Sequence, residues 1–396
     1  MDEEEIRKAL RDFPGSRRGA NGIIFDHPEG SFYAFGYEKV DPELLPQELF
    51  LSPFCSKKEI IRLREIKTAH DYLLRLRANA IADSTRLTRA TLKRKKLFTE
   101  KNRLWSLTEY YNSLNIIPKR YIERLPRKDR RIVRRAPFGF SPLPEANAMC
   151  LGSLVGEIVI VSESLRYFYY FMMIAALGGD FGFATADRVD SILVALRIMK
   201  GSEANDFDID PRESIAPHIR ARIQGQVDWM VEFTFAHEFA HLLLGHVSSA
   251  YNGGGVAKEH KVYYKHDEYS ADFNAIMVVR NRKDAAQKLS IAAYRVFLCL
   301  YMLELFGKSY EGYPDFSVSK THPSAIERLW TLREALGDKG QLPATELQAG
   351  VLAIQDLHRL TMQRLKAEQR DDLLSFYGSI HLRGLGGRPG VDRIDY

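Results

Sequence analysis

His237-Glu238-Phe239-Ala240-His241 reads H-E-x-x-H and lies inside a long amphipathic run, roughly residues 217 to 247. That periodicity predicts a helix, and on a helix residues four apart stack on one face. His237 and His241 can therefore aim two imidazole nitrogens at one point, as a tetrahedral zinc site requires. Glu238 stands one residue along and leans toward the same point from the side. A carboxylate there can act as general base on a water polarised by the metal. Chance alone gives this pattern in roughly 2 of 100 chains with this histidine content, so the motif needs a third ligand before it implies chemistry.

Glu268-Tyr269-Ser270-Ala271-Asp272 offers a candidate. Glu268 follows His241 by 27 residues, room for a turn and a return onto the first helix. Asp272 is four residues further on and shares that face. It can accept the second ring N–H of a zinc histidine and set its tautomer. An isolated E-x-x-x-D is most often a solvated helix face. Here the segment runs on into apolar Ile276-Met277-Val278-Val279, which points to a helix with a buried side.

The chain has 396 residues, enough for two domains with ample core. Its start, Met1-Asp2-Glu3-Glu4-Glu5, is acidic and lacks the apolar stretch of a secretory signal. Two segments are greasy, 167–177 and 291–306. The first is too short to span a bilayer and the second carries Arg295 and Glu304, so both read as buried helices and no membrane span is expected. Cys55, Cys150 and Cys299 are scattered and without metal-ligand spacing. Free thiols in a reducing cytosol are the simplest account, which makes the expected location cytoplasmic.

The net charge of +6 is unevenly placed. Residues 57–135 hold 24 Lys and Arg against 8 Asp and Glu, while the remainder is net acidic. Nucleic acid is one reading of such a basic arm. It is not favoured, because no recognised nucleic-acid motif accompanies the charge. A solvated face, a surface docked on the acidic remainder, or a surface that recruits an acidic protein substrate are the competing readings.

Residues 1–55 read as a small mixed region, with a short hairpin around Ser31-Phe32-Tyr33-Ala34-Phe35. Residues 57–115 carry helical spacing. Pro137, Pro142 and Pro144 mark a boundary, and Ile158-Val159-Ile160-Val161 after it is a buried-strand signature. Helices are expected up to Leu177, over 186–200, over 284–307, and over 343–366. Another starts near Thr321-His322-Pro323-Ser324, with Thr321 as its N-cap. The Gly-rich stretch 383–390 reads as a mobile tail.

Four stretches together resemble the zinc peptidases of the CAAX prenyl protease and HtpX heat-shock protease type, in the wider gluzincin group. Asn147-Ala148 followed by Gly156-Glu157-Ile158-Val159-Ile160 is similar to that family's strand before the catalytic helix. His237 to His241 with His246 matches H-E-x-x-H-x-x-x-x-H. Glu268 to Asp272 matches E-x-x-A-D, and His322-Pro323-Ser324 with Arg328 matches H-P-S-x-x-x-R. The set covers about residues 140–335.

The resemblance implies that His237, His241 and Glu268 bind zinc and that Glu238 activates water. It implies that the Asn147–Val161 segment is an edge strand taking up substrate as an added β-strand, with Asn147, Gly156, Ile158 and Ile160 as substrate-binding positions. It also implies that His322, with Arg328 nearby, donates to the oxyanion of the tetrahedral intermediate. The chain departs from the family in three ways: it shows no spanning helix, its gap before Glu268 is short, and its basic region has no counterpart. The short gap is nearer the compact gluzincins, including ImmA-like phage-repressor proteases.

The expected fold is α+β, mostly α: a zincin-like domain over 136–340 with the H-E-x-x-H helix and a small sheet. A basic helical domain over 1–135 precedes it, and a helix and tail over 341–396 follow. The expected function is that of an intracellular zinc endopeptidase acting on a protein or peptide, with access restricted or triggered and a role in stress response or phage defence. The competing function is a non-catalytic binding module acting through the basic region on nucleic acid or a protein partner.

Overall fold

The computed structural model describes residues 3–12, 14–19, 22–27, 30–35, 43–101, 103–143, 146–201, 215–247, 265–311, 313, 323–337 and 342–368. The chain forms two compact units, Met1–Ser52 and Pro53–Tyr396. The first holds helix α1 (Glu3–Asp12) and strands β1 (Ser16–Gly19), β2 (Gly22–His27) and β3 (Gly30–Phe35). The strands pair in that order, antiparallel, so the expected hairpin is the β2–β3 part of a three-stranded sheet.

The second unit is mostly helical. It begins with α2 (Lys57–Leu63), α3 (Ala69–Ala82), α4 (Thr85–Thr99), α5 (Leu107–Leu114), α6 (Ile116–Arg124) and α7 (Arg127–Val133). The helical stretch expected over 57–115 is therefore cut into separate pieces. The cuts fall at capping side chains: Thr68, Ser84 and Ser106 accept from the backbone N–H of Asp71, Leu87 and Glu109.

A sheet follows, made of β4 (Phe138–Ser141), β5 (Ala148–Ser153) and β6 (Gly156–Ser162) in the order β4-β6-β5. β4 runs parallel to β6, and β5 runs antiparallel to it. This corrects the expected edge strand. Asn147 to Val161 is a hairpin whose second arm, β6, is central. Ile158 and Ile160 are fully buried against Ala69 and Leu73 of α3. Gly156 sits at the turn of the hairpin with φ of +124°. Asn147 is exposed just before β5, with its Oδ1 accepting from Ala148 N at 2.8 Å. Of these strands β5 and β4 lie at the edges.

The remaining helices are α8 (Glu163–Leu177), α9 (Thr185–Met199), α10 (Pro217–Leu244), α11 (Lys265–Met277), α12 (Lys283–Ser309), α13 (Ala325–Leu336) and α14 (Ala344–Glu368). α10 is the hub. The sheet, α6, α7, α8, α11 and α12 all pack on it. Pro217 starts it, where the missing N–H costs nothing, and Gly245 ends it.

The amphipathic pattern holds only for the first half of α10. There Arg220, Ala221, Arg222 and Gly225 are exposed, while Ile223 and Val227 are buried. From Met230 to Leu242 the helix is buried on all sides. Phe235 and Phe239 meet Phe140 and Phe138 of β4 edge-to-face at 5.3 and 5.5 Å. Each such buried phenyl contributes about 1.5–3 kcal/mol, so the helix bearing the histidine pair is among the most firmly held parts of the unit. α8 is buried along most of its length. α12 has the length and hydropathy to cross a membrane, yet most of that stretch is buried within the unit.

The region 57–135 lies within this second unit, and several of its cations have partners inside it. Arg94 meets Glu163 at 2.8 Å, and Arg77 donates to the Phe140 carbonyl at 2.9 Å. Arg120 and Arg124 of α6 both grip Glu232, which is fully buried on α10. Arg127, Lys128 and Arg131 of α7 are exposed.

Candidate metal centre

His237 and His241 stand one turn apart on α10, so their rings share a face. Their Nε2 atoms lie 3.1 Å apart, with ring planes nearly perpendicular. α11 packs against α10 and brings Glu268 to the same point. Its Oε2 is 3.4 Å from His237 Nε2, and its Oε1 is 3.5 Å from His241 Nε2. All three residues are buried, and their ligand atoms lie within 4.8 Å of one another.

Two observations test whether these residues suit a metal ion. A four-coordinate ion held at about 2.0–2.1 Å sets its ligands about 3.3 Å apart along each tetrahedron edge; the two Nε2 atoms are 3.1 Å apart, and each has its own Glu268 oxygen at a similar distance, Oε2 at 3.4 Å from His237 and Oε1 at 3.5 Å from His241. The charge count agrees. Glu238, Glu268 and Asp272 are buried carboxylates, and Arg328 is a buried cation against them. With both imidazoles neutral, as metal ligands must be, and the carboxylates ionised, this group lacks two positive charges; without a metal, a proton on His237 supplies one of them. A divalent cation supplies both, so the residues fit.

Asp272, one turn after Glu268, lies with Oδ1 2.9 Å from His237 Nδ1. Arg328 arrives on α13 and holds the same carboxylate through Nε and Nη2. Its Nη1 is also 3.4 Å from Glu268 Oε2, and its guanidinium lies over the Phe297 ring at 4.9 Å. Ser324 caps α13, with its hydroxyl accepting from Glu327 N at 3.2 Å. The expected cap, Thr321, and His322 lie outside the described residues, as do the Gly-rich tail and His260. His266 is exposed on α11.

Glu238 is buried beside the pair and is not one of the three converging ligands. Cys150 of β5, Tyr169 of α8 and Arg328 lie within its electrostatic reach. Burial opposes a charge on His237, but the Asp272 and Glu268 carboxylates outweigh it and push the imidazole up to about 10. His241 goes the other way, driven down by burial and by the neighbouring His237. Asp272 is held below the usual carboxylate range; burial opposes this, but Arg328 and His237 outweigh it.

One participant carries more than its sequence position suggests. His246, the last residue of the H-E-x-x-H-x-x-x-x-H match, lies with its Nδ1 2.9 Å from His241 Nδ1. The fifth position after the second histidine was the available signal.

Residues 228–346 match the model of the Peptidase U49 family. The matched stretch contains H-E-x-x-H, Glu268, Asp272 and Arg328 and covers under a third of the chain. It points to a peptidase in general and not to the CAAX prenyl protease and HtpX type in particular. No curated protein and no solved structure matches the chain.

Proposed function

We propose that the protein is a zinc-dependent endopeptidase acting on a protein or peptide substrate. The observation that carries this reading is the convergence of His237, His241 and Glu268, all buried and with ligand atoms within 4.8 Å of one another, with the carboxylate of Glu238 next in sequence to the first ligand. Zinc is the ion that a buried set of two imidazoles and one carboxylate suits best.

Zinc, when bound, supplies Lewis acidity toward the scissile carbonyl and the attacking water. Glu238 takes the proton of that water and delivers it to the departing amine. Asp272 holds His237 by its Nδ1 hydrogen, and Arg328 holds Asp272, so the ligand ring keeps one orientation. β5, at the edge of the sheet and adjacent to α10, is the strand on which an extended substrate can add. His322 remains the proposed donor to the oxyanion. We place the protein in the cytoplasm on the support of three buried free cysteines, whose thiols burial pushes up. Restricted access, and a role in stress response or phage defence, belong to the same proposal.

A non-catalytic binding module draws less support. Arg77, Arg94, Arg120 and Arg124 of the basic region are occupied by contacts inside the unit.

Elemental analysis of wild type, His237→Ala and Glu268→Ala, with a cleavage screen of Glu238→Gln beside them, tests the reading. One zinc per chain, lost in both ligand variants, with cleavage abolished in Glu238→Gln, is expected. A wild type that takes up no zinc overturns it.

A further inference from the structure

We infer that His246 is a positioning residue for the metal centre: it fixes the tautomer of His241 through a relay running from His241 to His246 to Ser270 of α11, beside the Asp267 carboxylate. The inference rests on the zinc reading above. Gly245 ends α10 with φ of +73°, which glycine adopts without strain. The chain doubles back there, so His246 returns over the last turn of the helix. Its ring meets that of His241 edge-to-face, with centroids 5.0 Å apart and the two Nδ1 atoms 2.9 Å apart. The far nitrogen, His246 Nε2, faces α11, at 3.4 Å from Ser270 Oγ and 3.6 Å from Asp267 Oδ1.

The two ends of the relay determine its direction. His241 Nε2 is the nitrogen turned toward His237 and Glu268. As a ligand it presents its lone pair there, so its hydrogen sits on Nδ1. Two nitrogens at 2.9 Å share one hydrogen, which makes His246 Nδ1 the acceptor. His246 then carries its own hydrogen on Nε2, on the side of a hydroxyl and a carboxylate. Ser270 gives its own hydrogen to the Asp267 carbonyl at 3.0 Å and so accepts from His246, and the carboxylate beyond can only accept; each hydrogen in the relay therefore points the same way, from the ligand toward α11. The reverse order would put a hydrogen on His241 Nε2 and close it to a metal.

His237 is held in the parallel manner by Asp272. One helix, α11, thus carries the third ligand, Glu268, and on either side of it in sequence the carboxylates that stand behind the two histidines, Asp267 and Asp272.

The test compares wild type with His246→Gln, whose amide can both accept and donate, and with His246→Phe, which keeps a ring but no nitrogen. Three readouts are taken: the rate of zinc loss to excess chelator, the unfolding midpoints of the metal-free proteins, and nitrogen-15 ring spectra of histidine in zinc-loaded wild type. Zinc should leave His246→Phe about 10–100-fold faster than wild type. His246→Gln should lie close to wild type, the metal-free midpoints of the two variants should agree, and His241 should carry its hydrogen on Nδ1. Equal loss rates in all three proteins, equally fast loss from both variants, or a hydrogen on His241 Nε2 would overturn the inference while leaving zinc binding intact. A wild type without zinc overturns the proposed function itself. The tautomer is read on wild type, so a Phe variant that fails to fold leaves the test decisive.

Discussion

Arg328 holds Asp272 with two nitrogens, Nε to Oδ2 at 2.8 Å and Nη2 to Oδ1 at 2.6 Å. The two residues are 56 positions apart and both buried. Because Asp272 Oδ1 also meets His237 Nδ1 at 2.9 Å, the pair connects α13 to the candidate metal centre. A planar guanidinium fits this bidentate role and an ammonium does not.

Arg328→Lys should therefore keep the charge but loosen Asp272, and zinc affinity should fall by about 10–100-fold. Arg328→Ala leaves a buried carboxylate with less compensation and should destabilise the protein by about 3–5 kcal/mol. Chelator competition and urea unfolding measure the two effects. Equal zinc affinity in wild type and Arg328→Lys would show that the guanidinium geometry is irrelevant.

Metal binding should release close to one proton per zinc at neutral pH. In the metal-free protein His237 is protonated there, since its carboxylate neighbours hold it up to about 10, and a metal at Nε2 must displace that hydrogen. Apparent zinc affinity should rise as pH rises toward that value. The metal-free fold should show the opposite trend. A histidine raised above its ordinary 6.5 contributes stability that is present below 6.5 and lost as pH rises through about 10. Calorimetry in buffers of different ionisation enthalpy counts the proton, and unfolding of the metal-free protein across pH 6.5 to about 10 tests the second trend.

Glu232 should behave as an acid stranded in the interior once its partners go. Burial raises its pKa against the pull of Arg120 and Arg124. Removing both, as Arg120→Ala with Arg124→Ala, should cost about 3–5 kcal/mol at neutral pH. Since the folded pKa lies above the ordinary 4.5, stability is greatest below 4.5 and is lost as pH rises through the raised value. Acidification should therefore shrink the deficit of the double variant. A deficit independent of pH would mean that lost packing on Trp229, over which both guanidiniums lie, dominates.

Two glycines separate backbone strain from metal chemistry. Gly245 and Gly182 have φ of +73° and +75°, and a Cβ added at either would meet no atom within 4 Å. Alanine at either position should cost about 1–2 kcal/mol from the left-handed backbone alone. Gly245→Ala should also speed zinc loss, because it shifts the turn that returns His246 to His241, and Gly182→Ala should not. Equal zinc loss rates in the two variants would contradict the prediction.

The convergence of His237, His241 and Glu268, with Asp272 behind His237, was legible because helical periodicity alone brings H-x-x-x-H and E-x-x-x-D each onto one face. Two strong local patterns needed only one packing contact, α10 on α11, to meet. The reading of Asn147 to Val161 as an edge strand failed at Ile158 and Ile160. An apolar run states that a strand is buried, not which neighbour covers each side, and β4 came from residues further back.

The chemistry available on α10 and α11 was already present in the linear chain, since residue type and a period of four settle which side chains can converge. Packing in three dimensions chose the rest: which of the basic residues stay inside the fold, which strand lies at an edge, and that His246 faces His241. Those outcomes depend on contacts such as Arg120 with Glu232, 112 positions apart. Pairing over that distance is selected by shape and charge compensation between whole elements, and it leaves no periodic mark on the chain.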